Sequence, residues 1–180
     1  LRPLERIAHD ACGQACWRAK IAHEPGGIGM KFCSHCGNPV SQRVPAGDNR
    51  LRYVCEHCHT IHYQNPRIVA GCLPIWGEQV LLCRRAIEPR RGYWTLPAGF
   101  MEENETVEDA ARREAQEEAC ADIRIEQVLA VYSVPRISQV QVMFRANLAS
   151  GIAAVPESEE VGLFAWKDIP LAEMALPTVA

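Results

Sequence analysis

Residues 99–120, GFMEENETVEDAARREAQEEAC, hold eight of the chain's 22 acidic residues, and three of these stand where a helix cannot leave them uncompensated. At about 100° per residue, Glu114, Glu117 and Glu118 share a face with Val107, Ala110, Ala111 and Ala121. Asp109, Arg112, Arg113 and Gln116 make up the polar face instead. An amphipathic helix buries its apolar side, so the three carboxylates point to where an ionised group is costly unless paired or bound to metal. Glu114 and Glu118 also repel as like charges at i, i+4. Glu117 and Glu118 lie near the helix C-terminus, where the macrodipole disfavours anions. Any fold that accepts this helix must supply positive charge at that face. Three oxygen donors suit a hard divalent cation, and Mg²⁺ is held by a few carboxylates together with substrate phosphates.

A second constraint lies upstream. Cys33-x2-Cys36 is followed after eighteen residues by Cys55-x2-Cys58. Each CxxC turn sets two thiolates on one side of a tight knuckle, and two knuckles at the ends of a hairpin complete a tetrahedral Zn²⁺ site. PAGDN supplies the turn and RLRYV the returning strand. Four thiolates leave no open position for water, so this zinc is expected to hold structure and not to perform chemistry. His35, His57 and His59 stand beside the cysteines, and a Cys3His set using one of them is the minority alternative.

Composition narrows the class further. With 48% hydrophobic and 23% charged residues, the 180-residue chain reads as one sizeable globular domain plus a small module. Runs such as IVAGCLPIW are far short of the roughly 18 residues a membrane-spanning helix needs. A net charge of −3 gives no drive toward nucleic acid or anionic lipid. Only a weak basic bias between Met30 and Arg67 departs from this. Nine cysteines, four of them in CxxC pairs, fit a reducing cytoplasm better than a secreted disulfide framework. Cys72 and Cys83, in apolar strand-like runs, read as buried thiols acting as small hydrophobes.

Three segments are expected: an extension at 1–29, a zinc ribbon at 30–66 and a second domain at 67–180. Met30 is the first methionine, so the reading treats 1–29 as a non-native or dispensable extension and expects a protein starting at Met30 to fold. In the second domain IVAGCLPIW and QVLLCRR, joined by Gly77-Glu78, read as a hairpin. GYWTLPAGF brings a short strand and turn into the acidic helix. ADIRIEQVLAVYSV and ISQVQVMFRANL read as further strands, the latter alternating Val140, Val142 and Phe144 with polar residues. An acidic loop, PESEE, precedes strand VGLFAW and a short helix near DIPLAEM. Strands flanking one central helix define an α+β architecture.

Together, Gly99-x5-Glu105-x7-Arg113-Glu114-Ala115-x-Glu117-Glu118 resembles the Nudix box, the signature of hydrolases that cut nucleoside diphosphates linked to another moiety. Similarity to zinc-ribbon Nudix proteins runs from about Phe32 to Leu176. The resemblance implies an α/β/α sandwich. It implies that Glu114, Glu117 and Glu118 ligate Mg²⁺ or Mn²⁺, helped by the Gly99 carbonyl, and that Glu105 and Arg113 form a structural pair. The general base is implied to be Glu114 or a carboxylate on a later loop, here Glu160 or Glu157. A homodimer is implied as well. Two positions depart from the pattern: Asn104 and Cys120 stand where glycine is usual. Asn tolerates positive φ. At Cys120 the expectation is that the helix runs on through Ala121 and avoids a left-handed cap.

FCSHCGNPV, YQNPRIVAGC, GYWTLPAGF and PESEEVGLF look like the group that includes plant plastid FAD pyrophosphatases. The substrate expectation is therefore FAD, cleaved to FMN and AMP, with ADP-ribose and NADH as alternatives. NADH-preferring relatives carry SQPWPFP beyond the box, and YSVPRISQVQVMF here lacks it. The rival from another class is a nucleotide-binding sensor without catalysis, whose hallmark would be lost box carboxylates; none is lost. A capped RNA end, with the ribbon as contact, is the other rival, and the charge balance does not favour it. Tyr63, Trp76, Tyr93 and Phe144 are candidate ring-stacking residues.

Overall fold

The computed structural model describes residues 29–149 and 151–175, so the reading of 1–29 as an extension falls, except for Gly29, outside the described residues. Two compact units meet at the Pro66–Arg67 boundary, and each is described by itself.

The smaller unit is an antiparallel sheet of β1 (Val40–Arg43), β2 (Arg52–Cys55) and β3 (Ile61–His62), in the order β1-β2-β3. Asp48 shapes the β1–β2 turn by accepting from the backbone N–H groups of Asn49 (2.6 Å) and Arg50 (3.1 Å) and pairing with Arg52 at 2.9 Å. The two knuckles are built alike. Gly37 (φ 73°) donates its N–H to the Cys33 carbonyl at 2.9 Å, and His59 (φ 60°) donates to the Cys55 carbonyl at 3.1 Å. Each CxxC is thus closed by a residue with positive φ, a conformation glycine adopts freely.

In the larger unit the strands are β4 (Arg67–Trp76), β5 (Gln79–Arg85), β6 (Trp94–Thr95), β7 (Ala98–Phe100), β8 (Ile123–Val134), β9 (Gln139–Leu148) and β10 (Ser158–Ala165). They form one mixed sheet, ordered β10-β5-β4-β9-β8, with β6 on β5 and β7 on β4; only β4 and β9 run parallel. One edge of β4 is shared. Its first half pairs with β7, and its end pairs with β5 through the Gly77-Glu78 turn. A β-carbon at Gly71 would collide with Ala98, which explains why β7 lies so close.

The sequence of β5 shows why the sheet is covered twice. Leu81 and Cys83 face α1 (Val107–Ala119) along with Ala70, Cys72, Phe144 and Ala146. Val80 and Leu82 face the other way, toward Trp94, Leu96, Met143 and Met174. Helix alanines 110, 111, 115 and 119 are fully buried and let α1 settle directly on the sheet. Burial pushes both the Cys72 and Cys83 thiols well up, as expected of inert core cysteines. On the opposite face Ile169 and Met174, which follow the 3-10 turns Trp166–Asp168 and Leu171–Glu173, pack with Trp94 and Leu96; a further 3-10 turn, Pro135–Ile137, links β8 to β9, and α1 is the sole α-helix among the described residues. No described helix is long and apolar enough to cross a membrane.

Several local expectations are modified. The alternation along β9 is only partial: Val142 and Phe144 pack toward α1 as expected, but Gln141 is buried too, because β9 lies between β4 and β8. The strand after the acidic loop begins at Ser158 instead of Val161, which puts Glu159 and Glu160 on β10 and leaves Glu157 in the turn. The helix does not run through Ala121. Cys120 is left-handed (φ 49°, ψ 32°), its N–H bonds the Gln116 carbonyl at 3.0 Å, and Ala121 bonds back to Ala115 at 3.2 Å. This paired closure is the Schellman arrangement. Its driving force is burial, since Ala121 is only 1% exposed and joins the helix-side core. The helical propensity of Ala121 is the weaker effect. A β-carbon in this conformation costs about 1–2 kcal/mol. Cys120→Gly is therefore expected to stabilise the domain by about 1 kcal/mol, seen as a higher midpoint in urea unfolding; an unchanged or lower midpoint contradicts the strain.

Candidate active site

Thr106 starts α1 by accepting the Asp109 N–H at 3.1 Å, with Glu108 and Asp109 in the first turn, where anions are favoured. Eight residues on, Glu114 is 0% exposed, a carboxylate sunk among alanines. β7 brings Gly99 against it. A β-carbon at residue 99 would overlap the Glu114 carboxylate, so only glycine permits this approach. Glu118, one turn further, accepts the Ala98 N–H at 3.3 Å. The turn before the helix passes through Asn104 at φ 66°, the left-handed position anticipated for it.

Arg113 provides the positive charge that the helix demanded. Its guanidinium reaches Glu105 at 2.7 and 3.1 Å, Glu114 at 2.7 Å, Glu117 at 3.0 Å and the Phe100 carbonyl at 3.1 Å. The pairing with Glu105 requires Glu105 to curl in from ahead of the helix, which it does while also accepting the Glu102 N–H at 2.6 Å. Contacts from Arg113 to Glu114 and Glu117 were not read from the sequence, where Arg113 lay on the polar face. Its long side chain folds back over the helix, and its guanidinium is held strongly protonated by Glu105 first and Glu114 next.

The Arg113 contact holds the Glu105 carboxyl below the ordinary glutamate value. A depressed folded-state pKa adds stability that is complete above the unfolded glutamate range, near pH ~4.3, and is lost as pH falls through the lower folded value. Glu105→Gln should cost about 1 kcal/mol at neutral pH, allowing for solvent screening. That difference should vanish under strong acid in urea titrations. A cost equal at pH 7 and pH 3 would show that the pair contributes no titration-linked stability.

The later carboxylates sit at the sheet edge. Glu160 stands across from Arg84 in the β10–β5 register and pairs with it at 3.5 Å, its side chain 57% exposed. Glu157 lies in the preceding turn, where its carbonyl accepts the Ala86 N–H at 3.1 Å. Of the candidate stacking residues, Phe144 is core at 1% exposed. Tyr63, Trp76 and Tyr93 are exposed, with Arg52 over Tyr63 at 5.0 Å and Arg90 near Tyr93 at 5.7 Å.

The ribbon ligands converge as their spacing required. The Cys33, Cys36, Cys55 and Cys58 sulfurs all lie within 4.8 Å of one another, with Cys33–Cys58 at 3.6 Å and Cys36–Cys55 at 3.5 Å. A tetrahedron with Zn–S of about 2.3 Å has sulfurs about 3.8 Å apart, so the four thiols fit zinc. The Thr60 hydroxyl holds the Cys58 thiol well down and the Asn38 side chain lowers Cys36, whereas burial and the neighbouring sulfurs raise Cys55, so the fit to zinc rests on the convergence of the four sulfurs and not on their titration. None of the neighbouring histidines His35, His57 and His59 joins the group, whereas the ring of His62 touches Cys33 Sγ at 3.3 Å. The fit of the box to a hard cation rests on its donor set: three carboxylates on one helix face, one fully buried against the Gly99 backbone.

A buried box helix on a mixed sheet, preceded by a four-cysteine ribbon, defines the class, and the chain belongs to the Nudix family. The NUDIX domain family matches residues 65–179, and the zinc-ribbon family described as Nudix N-terminal matches residues 31–64. A crystal structure of a NUDIX hydrolase from Nitrosomonas europaea is 53% identical, with TM-score 0.81, covering 83% of this chain and 85% of that one. A MutT/nudix family protein from Enterococcus faecalis is 31% identical at TM-score 0.52, covering 57% of this chain and 45% of its own. Among curated relatives, the NAD-capped RNA hydrolase NudC of Klebsiella pneumoniae is 31% identical over 147 residues, 78% of this chain. The chain spans about half the length of such relatives, 54%.

Proposed function

We propose that the protein is a divalent-metal-dependent pyrophosphohydrolase that cleaves a dinucleotide-type nucleoside diphosphate derivative, and that its preferred substrate is FAD, giving FMN and AMP. The observation that carries the reaction class is the fully buried Glu114 carboxylate, pressed against Gly99 and flanked by Glu117 and Glu118. Those three carboxylates and the Gly99 carbonyl would hold Mg²⁺ or Mn²⁺, which when bound neutralises phosphate charge and lowers the pKa of coordinated water. Water adds to one phosphorus, the bridging P–O bond breaks, and each product leaves as a phosphomonoester.

Glu114 is one candidate base; Glu160 and Glu157 are the others. Arg113 keeps Glu105, Glu114 and Glu117 gathered by charge-assisted hydrogen bonds. In the same reading residues 30–66 form the structural ribbon, residues 67–180 the hydrolase domain, and the protein is a homodimer.

Selectivity must arise at the half of the substrate that is not AMP, since every candidate offers the same pyrophosphate. FAD is supported by YQNPR and LPAGF, and by YSVPRISQVQVMF in place of SQPWPFP. The NudC relatives support a second reading, in which the substrate is NADH or an NAD-capped end. Chromatography of Mg²⁺-dependent reactions on FAD, ADP-ribose, NADH and NAD-capped RNA separates these. FMN and AMP should appear fastest from FAD; efficient cleavage of a nicotinamide substrate with FAD left intact overturns the choice.

A further inference from the structure

The four ribbon sulfurs need more than a metal ion. Four thiolates around one Zn²⁺ leave an excess of negative charge, and Cys33 and Cys55 are shut off from water at 3% and 0% exposed. Buried charge has to be met by hydrogen-bond donors. Most of these donors are local. The His35 N–H reaches Cys33 Sγ at 3.4 Å, the Asn38 side-chain amide reaches Cys36 Sγ at 3.4 Å, the Cys58 N–H reaches Cys55 Sγ at 3.5 Å and the Thr60 hydroxyl meets Cys58 Sγ at 3.1 Å. Each serves a sulfur of its own knuckle, no more than three residues away.

His62 is different. Its Nε2 lies 3.3 Å from Cys33 Sγ across a separation of 29 residues. It stands on β3, a strand of two residues paired with Tyr53 and Val54 of β2, and its side chain is half-buried. β3 follows the second knuckle whereas Cys33 opens the first, so the imidazole spans the two halves of the site.

A zinc-bound sulfur is a thiolate, with no proton to give, so the contact has one polarity: Nε2–H donates to Cys33. The ring itself stays outside the group of four sulfurs, which already completes a tetrahedron. Side chains that hydrogen-bond to ligating groups orient them and strengthen their hold on the metal.

We propose that His62 is a positioning residue of the zinc site, donating Nε2–H to the Cys33 thiolate and tying β3 to the first knuckle. The proposal rests on the ribbon holding zinc. The test compares His62→Phe, which keeps a ring without the donor, with His62→Gln, whose side-chain amide restores one, in the full chain. Zinc affinity is measured by competition with a chromophoric chelator, and the sulfur-to-cobalt charge-transfer band is recorded with Co²⁺ in place of zinc. His62→Phe should weaken zinc binding by about 10–100-fold and move the band to longer wavelength, because a thiolate without its hydrogen bond gives up electron density more readily. His62→Gln should recover most of both. Weaker binding with the band unmoved would show a packing role alone and overturn the hydrogen bond, as would an unchanged affinity and spectrum. If His62→Phe does not fold at saturating zinc, ¹⁵N spectra of the zinc-loaded wild type decide: His62 Nε2 should carry a proton, and a bare Nε2 overturns the proposal. A wild type that takes up no zinc overturns the zinc assignment itself, and this inference with it.

Discussion

Replacing Glu118 with glutamine is expected to lower Mg²⁺-dependent turnover by about 10²–10³-fold, the scale of losing one electrostatic contribution to a transition state, and to leave the fold in place. Glu118 makes a contact that glutamine can keep. Its contact with the Ala98 N–H at 3.3 Å is one that an amide oxygen accepts equally well, so the exchange removes charge and keeps shape. Glu114 is a poorer probe: it is fully buried and ion-paired with Arg113, so Glu114→Gln would disturb the core along with the chemistry. Glu117 is likewise bound to Arg113. Steady-state rates at saturating substrate, with thermal unfolding as the control, give the answer. Turnover within a few-fold of wild type would mean that the box helix is not where metal acts.

Loss of zinc should have an effect of similar size on the ribbon itself. Among its described residues only Cys33, Val54 and Cys55 are buried hydrophobics, so two of the three members of its core are metal ligands. Three strands of 4, 4 and 2 residues with one buried valine cannot offset the entropy of ordering. Structural zinc, in contrast, contributes on the order of 10 kcal/mol in comparable small modules. Cys55→Ser should bind no zinc, and amide exchange across residues 33–60 should become fast; so should chelator treatment of the wild type. Slow exchange retained after zinc removal would show that the hairpin stands without metal.

Legibility in the sequence followed the range of the interaction. The box helix was readable because its acids violate the helical period, and the ribbon because its four ligands announce themselves by spacing. What escaped depended on distant partners. Cys120 turns left-handed because burial of Ala121 outweighs helix propensity, and that burial is set by the helix-side core, not by neighbours in the chain. Gln141 reads as a surface residue until β4 and β8 close on either side of it. Arg113 was placed correctly on the polar face, yet the reach of its side chain, not its position, decides which acids it binds. Glu160 was expected on a loop and lies on a strand because Arg84 and Arg85 of β5 carry the ladder back to Glu160 and Ser158.

The shared edge of β4 ties the candidate site to the cohesion of the sheet. Gly99 stands in register with Ala70, a fully buried residue of the central strand. The turn that leads into the box is therefore not a flap that breathes on its own. Dislodging it means tearing hydrogen bonds from the middle of the sheet, an opening that belongs among the slowest motions of the domain. The turn that leads into the box and the fold are therefore expected to share one melting event, so that a temperature ramp should remove activity and structure together.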